Sequence, residues 1–156
     1  MTRVCLLGKP DVNLRYELLS RETARQALAT YDIQEPFENT VAVETVSLGA
    51  AVALLNDLNW YLVRFVDDAF ILEPSVSEAE WLSRSLATDI RDDAVEPSEN
   101  GRFLAVYGLE TDDSTSLPAL VEPMLVTRTG GAVPEYDLRD VDDTVVVRLT
   151  KDEFGA

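Results

Sequence analysis

Short apolar runs separated by turn-forming residues predict four strands and an edge segment. The run at residues 102–109 is apolar almost throughout, which is typical of a strand buried on both faces. A further segment contains Pro118 and Pro123, so any strand in it is short or lies at an edge. The four strands are predicted at residues 2–8, 40–46, 102–109 and 144–150, and the edge segment at 117–127.

Apolar positions three and four residues apart predict three helices. The first begins at Asp11 or Asn13, continues to about residue 30, and ends at a loop that contains a proline. Ser47 caps the second, residues 48–58, which is rich in alanine and leucine. The third follows a capping box made by Ser77 and Glu80 and extends to about residue 90.

The densest apolar stretch is residues 59–73, and it holds one pair of adjacent carboxylates, Asp67 and Asp68. Because β-branched and aromatic residues favour strands and aspartate favours turns, this stretch predicts a β-hairpin. Its strands are expected at 60–66 and 69–73, with the two aspartates in the turn. A second interpretation stays open, in which the second helix continues to Phe65 and leaves a single strand after it.

The order of these elements predicts a mixed α/β fold of the α+β class, with a single sheet of about 5–7 strands and about three helices. A βαβ-like unit opens the chain, and antiparallel strands follow toward the C-terminus. A length of 156 residues is typical of one domain, so we expect residues 1–156 to form a single globular unit. Residues 110–143 are rich in loops and predict a flap or a partner-binding extension.

The charge balance is the most unusual property of the composition. There are 29 acidic and 13 basic residues, for a formal charge of −16, and Lys9 and Lys151 are the only lysines. This acidic, lysine-poor composition resembles that of cytoplasmic haloarchaeal proteins, and the chain as a whole resembles small uncharacterised haloarchaeal protein families, to which no known activity is attached. The resemblance implies adaptation to molar salt, where repulsion between carboxylates is screened within about 3 Å.

Two expectations follow from that charge. We expect the fold to be less stable in dilute buffer than in molar salt, because unscreened carboxylates repel one another. The acidic surface also argues against direct nucleic-acid binding, which needs clustered lysine and arginine facing phosphates.

The residue inventory excludes several kinds of chemistry. The chain has no histidine and one cysteine, which rules out histidine-based catalysis and any zinc or iron–sulfur site built from one chain's cysteines and histidines. Neither glycine-rich nucleotide-binding loop is present, and we expect no cofactor. Cys5 lies in an apolar run, which predicts a buried and unreactive thiol.

No targeting or membrane segment stands out in the sequence. The N-terminal apolar run is shorter than the core of a secretory signal, and no stretch reaches the roughly 18 apolar residues of a membrane span. We therefore expect a soluble, cytoplasmic protein without membrane contact.

Residues 64–72 resemble the catalytic hairpin of reverse-transcriptase-like palm domains, in which an aromatic, a small apolar residue and two aspartates occupy the turn between apolar strands. The resemblance implies a carboxylate-only enzyme that uses Mg²⁺ for phosphoryl transfer or phosphodiester hydrolysis. Asp67 would be the better metal ligand, with Asp68 beside it and Asp11 as the third carboxylate. Three more Asp-Asp pairs occur at 92–93, 112–113 and 142–143, so a solvated acidic turn is the simpler interpretation.

Asn59, Trp60 and Tyr61 are candidate interaction residues, since aromatic side chains anchor protein interfaces. In a small domain such aromatics are more often part of the core. With few catalytic groups available, the sequence favours a non-catalytic cytoplasmic binding or regulatory module that acts through protein–protein contacts. The Mg²⁺-dependent enzyme is the alternative hypothesis, and a homo-oligomer and a small-molecule sensor stay open.

Overall fold

The chain forms one curled sheet with most of its helices packed on one face, as seen in a computed structural model that describes residues 1–96, 100–111, 117–128 and 143–155. The strands within these residues are β1 (Thr2–Gly8), β2 (Thr40–Thr45), β3 (Val66–Leu72), β4 (Trp81–Ser83), β5 (Phe103–Glu110), β6 (Ala119–Thr127) and β7 (Asp143–Leu149). The helices are α1 (Leu14–Leu19), α2 (Glu22–Leu28), α3 (Leu48–Asp57), α4 (Asn59–Phe65), α5 (Arg84–Arg91) and α6 (Lys151–Phe154).

The predicted mixed fold with a single sheet is confirmed, but six helices replace the three expected within the described residues. The strand order is β2-β1-β3-β4-β7-β5-β6. The strands toward the C-terminus are antiparallel in part as predicted, since β5 is antiparallel to both β6 and β7, but β7 is parallel to its other neighbour, β4. β6 lies at an edge of the sheet, as its prolines predicted.

The predicted βαβ-like opening is wrong, because β1 is antiparallel to β2 and a βαβ unit joins parallel strands. The reason is that the single helix expected at 13–30 is two short helices. α1 and α2 together return the chain to the end of the sheet where β1 finished, so Thr40 pairs with Leu7 and β2 runs in the opposite direction.

The break between α1 and α2 falls at Ser20 and Arg21. Asn13 caps α1 by accepting the N–H of Tyr16, so the helix starts at one of the two predicted positions, but Arg21 has an extended backbone with φ −108° and ψ 126°. The break lets each short helix turn its own apolar pair toward the sheet. These pairs are Leu14 and Leu18 in α1, and Ala24 and Leu28 in α2.

The third predicted helix begins later than the sequence indicates. Ser77 Oγ does accept two backbone N–H groups, yet no helix starts there, and α5 begins only at Arg84 with Ser83 as its cap. The intervening residues form β4, whose Trp81 packs edge-on against Phe70 with ring centroids 6.1 Å apart. Packing across the sheet therefore overrides the local capping signal.

The sheet curls until its two edge strands approach each other. β2 and β6 stand at opposite ends of the strand order, yet the N–H of Glu38, just before β2, donates to the carbonyl of Pro118, just before β6, at 2.9 Å. This curvature gives the sheet an outer face, covered by helices, and an inner face that packs against itself.

The two faces carry different cores. The outer core is largely aliphatic and joins the helices to alternate residues of β1, β2 and β3. The inner core is built around three aromatic side chains and the free, buried Cys5, which confirms the predicted buried thiol. Its fully enclosed members are Cys5, Ala42, Phe70, Trp81, Ala105, Tyr107, Val145 and Val147.

Of the predicted flap at 110–143, the described part consists mainly of β6, and residues 112–116 and 129–142 lie outside the described residues. Among the helices that the structure describes, none has the length and apolar character required to cross a bilayer.

Candidate interaction surface on helix α4

Residues 59–65 form helix α4, so the predicted hairpin is wrong and the interpretation with a helix up to Phe65 and a single strand after it is correct. A break at Leu58 separates α4 from α3. The apolar residues Leu58, Tyr61, Leu62 and Phe65 recur at helical spacing and face the core, which places Trp60, Val63 and Arg64 on the opposite, exposed side.

Asp67 and Asp68 lie within β3 and not in a turn, so they do not form the palm-type arrangement. Successive side chains of a strand point to opposite faces, and the two carboxylates therefore diverge. Asp67 is exposed, whereas Asp68 is half-buried on the inner face beside Phe70. The Tyr107 hydroxyl donates a hydrogen bond of 2.6 Å to Asp68 Oδ2, and the N–H of Ala69 donates to Oδ1 at 2.9 Å.

Burial controls the ionisation of this inner carboxylate and its neighbours. It raises the pKa of Asp68, against the opposing effect of the hydrogen bonds from Tyr107 and Ala69. Burial also raises the pKa of the Tyr107 hydroxyl, and the negative charge of Asp68 raises it further. Burial raises the pKa of the Cys5 thiol to about 12, which keeps it protonated and unreactive at neutral pH.

Among the described residues, no third carboxylate joins the aspartate pair in a group that could hold a metal ion. Asp11 instead lines a surface groove of about 500 Å³ with Glu35 and Glu38. Within residues 1–96, 100–111, 117–128 and 143–155, no three Asp, Glu or Cys side chains are grouped closely enough to hold a metal ion. The described residues thus supply no ligand set for the Mg²⁺ of the alternative hypothesis.

The exposed side of α4 presents an aromatic ring covered by a cation. Trp60 is 49% exposed, and the guanidinium carbon of Arg64 lies 3.7 Å from the centroid of its ring. Arg64 is held there by a hydrogen bond from Nη1 to the Trp60 carbonyl at 3.1 Å. One turn of helix therefore fixes both partners of a cation–π pair, and Val63 lies next to them with 65% of its surface exposed.

Lys9 brings a second cation to the same surface from the end of β1. Its N–H donates to the carbonyl of Phe65 at 3.0 Å, and its carbonyl accepts from Asn39 Nδ2 at 3.0 Å, so its backbone is fixed on both sides. Gly8 permits this arrangement, because a Cβ there would come within 2.7 Å of the Asn39 side chain and 2.9 Å of Leu14 Cβ. Lys9 Nζ then donates to the carbonyl of Val63 at 3.3 Å, near the negative end of α4.

Arg21 supplies a third cation from the break between α1 and α2. Its guanidinium carbon lies 4.9 Å from the ring centroid of Phe65 and 5.9 Å from that of Trp60. Nη2 also pairs with Glu17 at 3.0 Å, so one carboxylate partly neutralises this charge. We call Lys9, Arg21, Trp60, Val63 and Arg64 together the α4 patch.

The other two predicted interaction residues have structural roles. Tyr61 is 9% exposed and belongs to the helix-covered core. The Asn59 side-chain carbonyl accepts a hydrogen bond of 2.9 Å from Arg84, and Asn56 accepts a second from the same guanidinium at 3.1 Å. Of the three residues singled out from the sequence, Trp60 alone contributes an exposed aromatic ring to this surface.

The residues that match a known protein family include the whole α4 patch. A model described as Family of unknown function (DUF5804) matches residues 2–109, which is more than half of the chain. The chain belongs to DUF5804. The matched region contains the α4 patch, Asp68 and Tyr107, and it ends within β5. No curated protein and no solved structure matches the chain.

Sequence reasoning missed the cations of the α4 patch for an identifiable reason. Trp60 and Arg64 are four residues apart, which makes them neighbours on a helix but not on a strand, and the strand prediction separated them. The helical spacing of Leu58, Tyr61, Leu62 and Phe65 was the signal that could have joined them. No local signal places Lys9 or Arg21 beside α4.

Proposed function

We propose that this member of DUF5804 is a non-catalytic binding module that contacts another protein through the α4 patch. The observation that carries the proposal is the half-exposed Trp60 between Arg64 and Arg21, next to the exposed Val63. Tryptophan and arginine are the residue types most enriched among the energetically important positions of protein interfaces.

Burial in the core does not account for the exposed parts of these side chains. The core side of α4 is already provided by Tyr61 and Leu62, which are buried, whereas Trp60 and Val63 point outward. A single exposed apolar residue is ordinary, but an exposed tryptophan and valine held one helical turn apart between cations form a contiguous surface. Such a surface is suited to contact with a partner.

The α4 patch also concentrates several of the chain's few cations. The chain has only 13 basic residues against 29 acidic ones, and three of the 13 converge here from β1, α4 and the break after α1. A local cluster of cations on a strongly acidic protein favours contact with segments that carry negative charge.

Photo-crosslinking in the cells that naturally make the protein tests the proposal. A photoreactive phenylalanine analogue replaces Val63 in the full chain, and in a matched control it replaces Gln26, an exposed residue of α2 outside the α4 patch. We expect a discrete adduct from position 63 that protease removes and nuclease does not, and none from position 26. Absence of an adduct from position 63, or the same adduct from both positions, would contradict the proposal.

A further inference from the structure

We infer that the occupant of the α4 patch is an acidic protein segment that places one large apolar side chain between its carboxylates. This inference rests on the proposed function and specifies the chemistry of the partner.

The cations of the patch retain donors for a partner. In the part of the chain that the structure describes, neither Lys9 nor Arg64 forms an ion pair. Lys9 uses one ammonium donor on the Val63 carbonyl, and Arg64 uses Nη1 on the Trp60 carbonyl. Lysine has three donors and arginine five, so both can also bind carboxylates.

The apolar part of the patch lies between those cations. Lys9 Nζ contacts the Val63 carbonyl, and Arg64 is the next residue after Val63 in the helix. Trp60 lies about one helical turn before Val63, beneath the Arg64 guanidinium. A partner's Leu, Phe or similar side chain would bury surface on Val63 and on the exposed part of Trp60 while flanking carboxylates reach Lys9 and Arg64. Charge alone would leave that apolar surface exposed to water.

A second copy of the chain fits this surface poorly. In a two-fold symmetric dimer the same patch meets itself, which would place Lys9, Arg21 and Arg64 against their own copies. A head-to-tail contact between the patch and an acidic region would repeat from copy to copy, and it would end only where the rotation between copies closes a ring. A distinct acidic partner pairs with the cations without this repulsion and without repeated association between copies.

Nucleic acid is also a poorer match than an acidic protein segment. Single-stranded binding needs a cationic groove along the backbone with several stacking aromatics, and the patch offers three cations and one exposed aromatic ring, whose face Arg64 already covers. Arg21 is partly neutralised by Glu17. Carboxylates arranged around one apolar side chain are a better match for a few cations beside exposed apolar surface.

The two tryptophans of the chain give a direct test by nuclear magnetic resonance. Trp60 is in the patch and Trp81 is in the inner core with 8% exposure, so the indole N–H signal of Trp81 is an internal control. The full chain is titrated with a pool of short peptides that alternate Glu or Asp with one central Leu, Ile, Phe, Tyr or Trp. Matched pools replace the acidic residues with Gln or the central residue with Ser, and a thymidine oligonucleotide represents nucleic acid.

We expect the acidic pool to shift the Trp60 signal saturably and to leave the Trp81 signal in place. Each matched pool, and each of the variants Lys9→Gln and Arg64→Gln, should weaken binding about tenfold or more. Arg25→Gln, at an exposed position of α2 outside the patch, should bind like the parent.

Three results would overturn the inference. One is no Trp60 shift with the acidic pool up to about 1 mM. Another is equal binding of the acidic pool and the Gln pool. The third is an oligonucleotide that shifts the Trp60 signal and binds more tightly than the acidic pool. If position 63 nevertheless forms a protein adduct in cells, the proposed function stands and only the partner chemistry is wrong; if that adduct is absent as well, both fail.

Discussion

Two clusters of aromatic and charged side chains in the described part of the chain differ in their exposure to solvent. The inner cluster joins Phe70, Trp81 and Tyr107 to the carboxylate of Asp68 inside the curled sheet. The α4 patch joins Trp60 to Arg21 and Arg64 on the surface. The inner cluster is buried by folding, whereas much of the patch remains open to solvent.

This difference separates the residues that stabilise the fold from those available for binding. Phe70 is fully buried and touches both other rings of its cluster, with centroids 6.1 Å from Trp81 and 5.4 Å from Tyr107. Trp60 touches Tyr61 and Phe65 but remains 49% exposed. Substitutions in the inner cluster should therefore change the free energy of unfolding, and substitutions in the patch should mainly change binding.

Phe70→Ala is expected to have the largest effect on stability. Removing a fully buried ring loses its transfer free energy and leaves a cavity between Trp81 and Tyr107, so the free energy of unfolding should fall by about 3–5 kcal/mol. Urea unfolding at fixed salt measures the loss. A loss below about 1 kcal/mol would mean that the inner face is loosely packed, contrary to the structure.

Tyr107→Phe should have the next largest effect. The substitution keeps the ring but removes the hydroxyl that donates to Asp68, which leaves a half-buried carboxylate without its side-chain partner. We expect a loss of about 1–3 kcal/mol in the same urea experiment. The control is Tyr16→Phe, at a tyrosine that is 66% exposed, which should stay within about 0.5 kcal/mol of the parent. Equal losses in the two variants would count against a special role for the Asp68 pair.

Trp60→Ala should cost less than Phe70→Ala even though it removes a larger side chain. About half of the indole is already exposed, so the lost burial is worth about 1–2 kcal/mol. The comparison is made under the same urea and salt conditions. A loss equal to that of Phe70→Ala would show that Trp60 is a core residue, and the distinction between the two clusters would fail.

Asp68→Asn should show the smallest stability effect, and one that depends on pH. Burial raises the pKa of Asp68 above its ordinary value of 3.8, so the folded state binds the proton more tightly than the unfolded state does. Ionised Asp68 therefore lowers stability at neutral pH, and this cost disappears as the pH falls toward 3.8. The amide carbonyl of the variant can still accept from Tyr107.

The variant's advantage over the parent should accordingly be greatest near neutral pH and shrink in acid. The check is the free energy of unfolding of parent and variant across pH, with Asp67→Asn as the exposed control. If the advantage of Asp68→Asn over the parent were larger in acid than at neutral pH, the assigned direction of the pKa shift would be wrong.

The fold was predictable where local patterns and tertiary packing agree. β1, β2, α3 and β5 follow their apolar patterns, and Ser47 caps the helix that it was predicted to cap. The prediction failed at residues 59–65, where strand-forming residue types were given more weight than helical spacing. It failed again at β4, where the packing of Trp81 on Phe70 overrides a capping signal.

The candidate surface was predictable only in part. Trp60 was identified as an interaction residue from its type, but its cations come from three separate parts of the chain. Lys9 reaches α4 only because Gly8 and Asn39 hold the end of β1 against it, and Arg21 only because the first helix breaks there. Likewise, Asp68 and Tyr107 are 39 residues apart, and no local pattern pairs them.

The most direct test of the separation between folding and binding is the crosslink yield from position 63 in the double variant Lys9→Gln, Arg64→Gln. Both cations are at least partly exposed and form no ion pair within the described residues, so the free energy of unfolding should change by less than about 1 kcal/mol. We predict that the yield per folded molecule falls about tenfold or more. An undiminished yield from a folded double variant would contradict binding through the α4 patch.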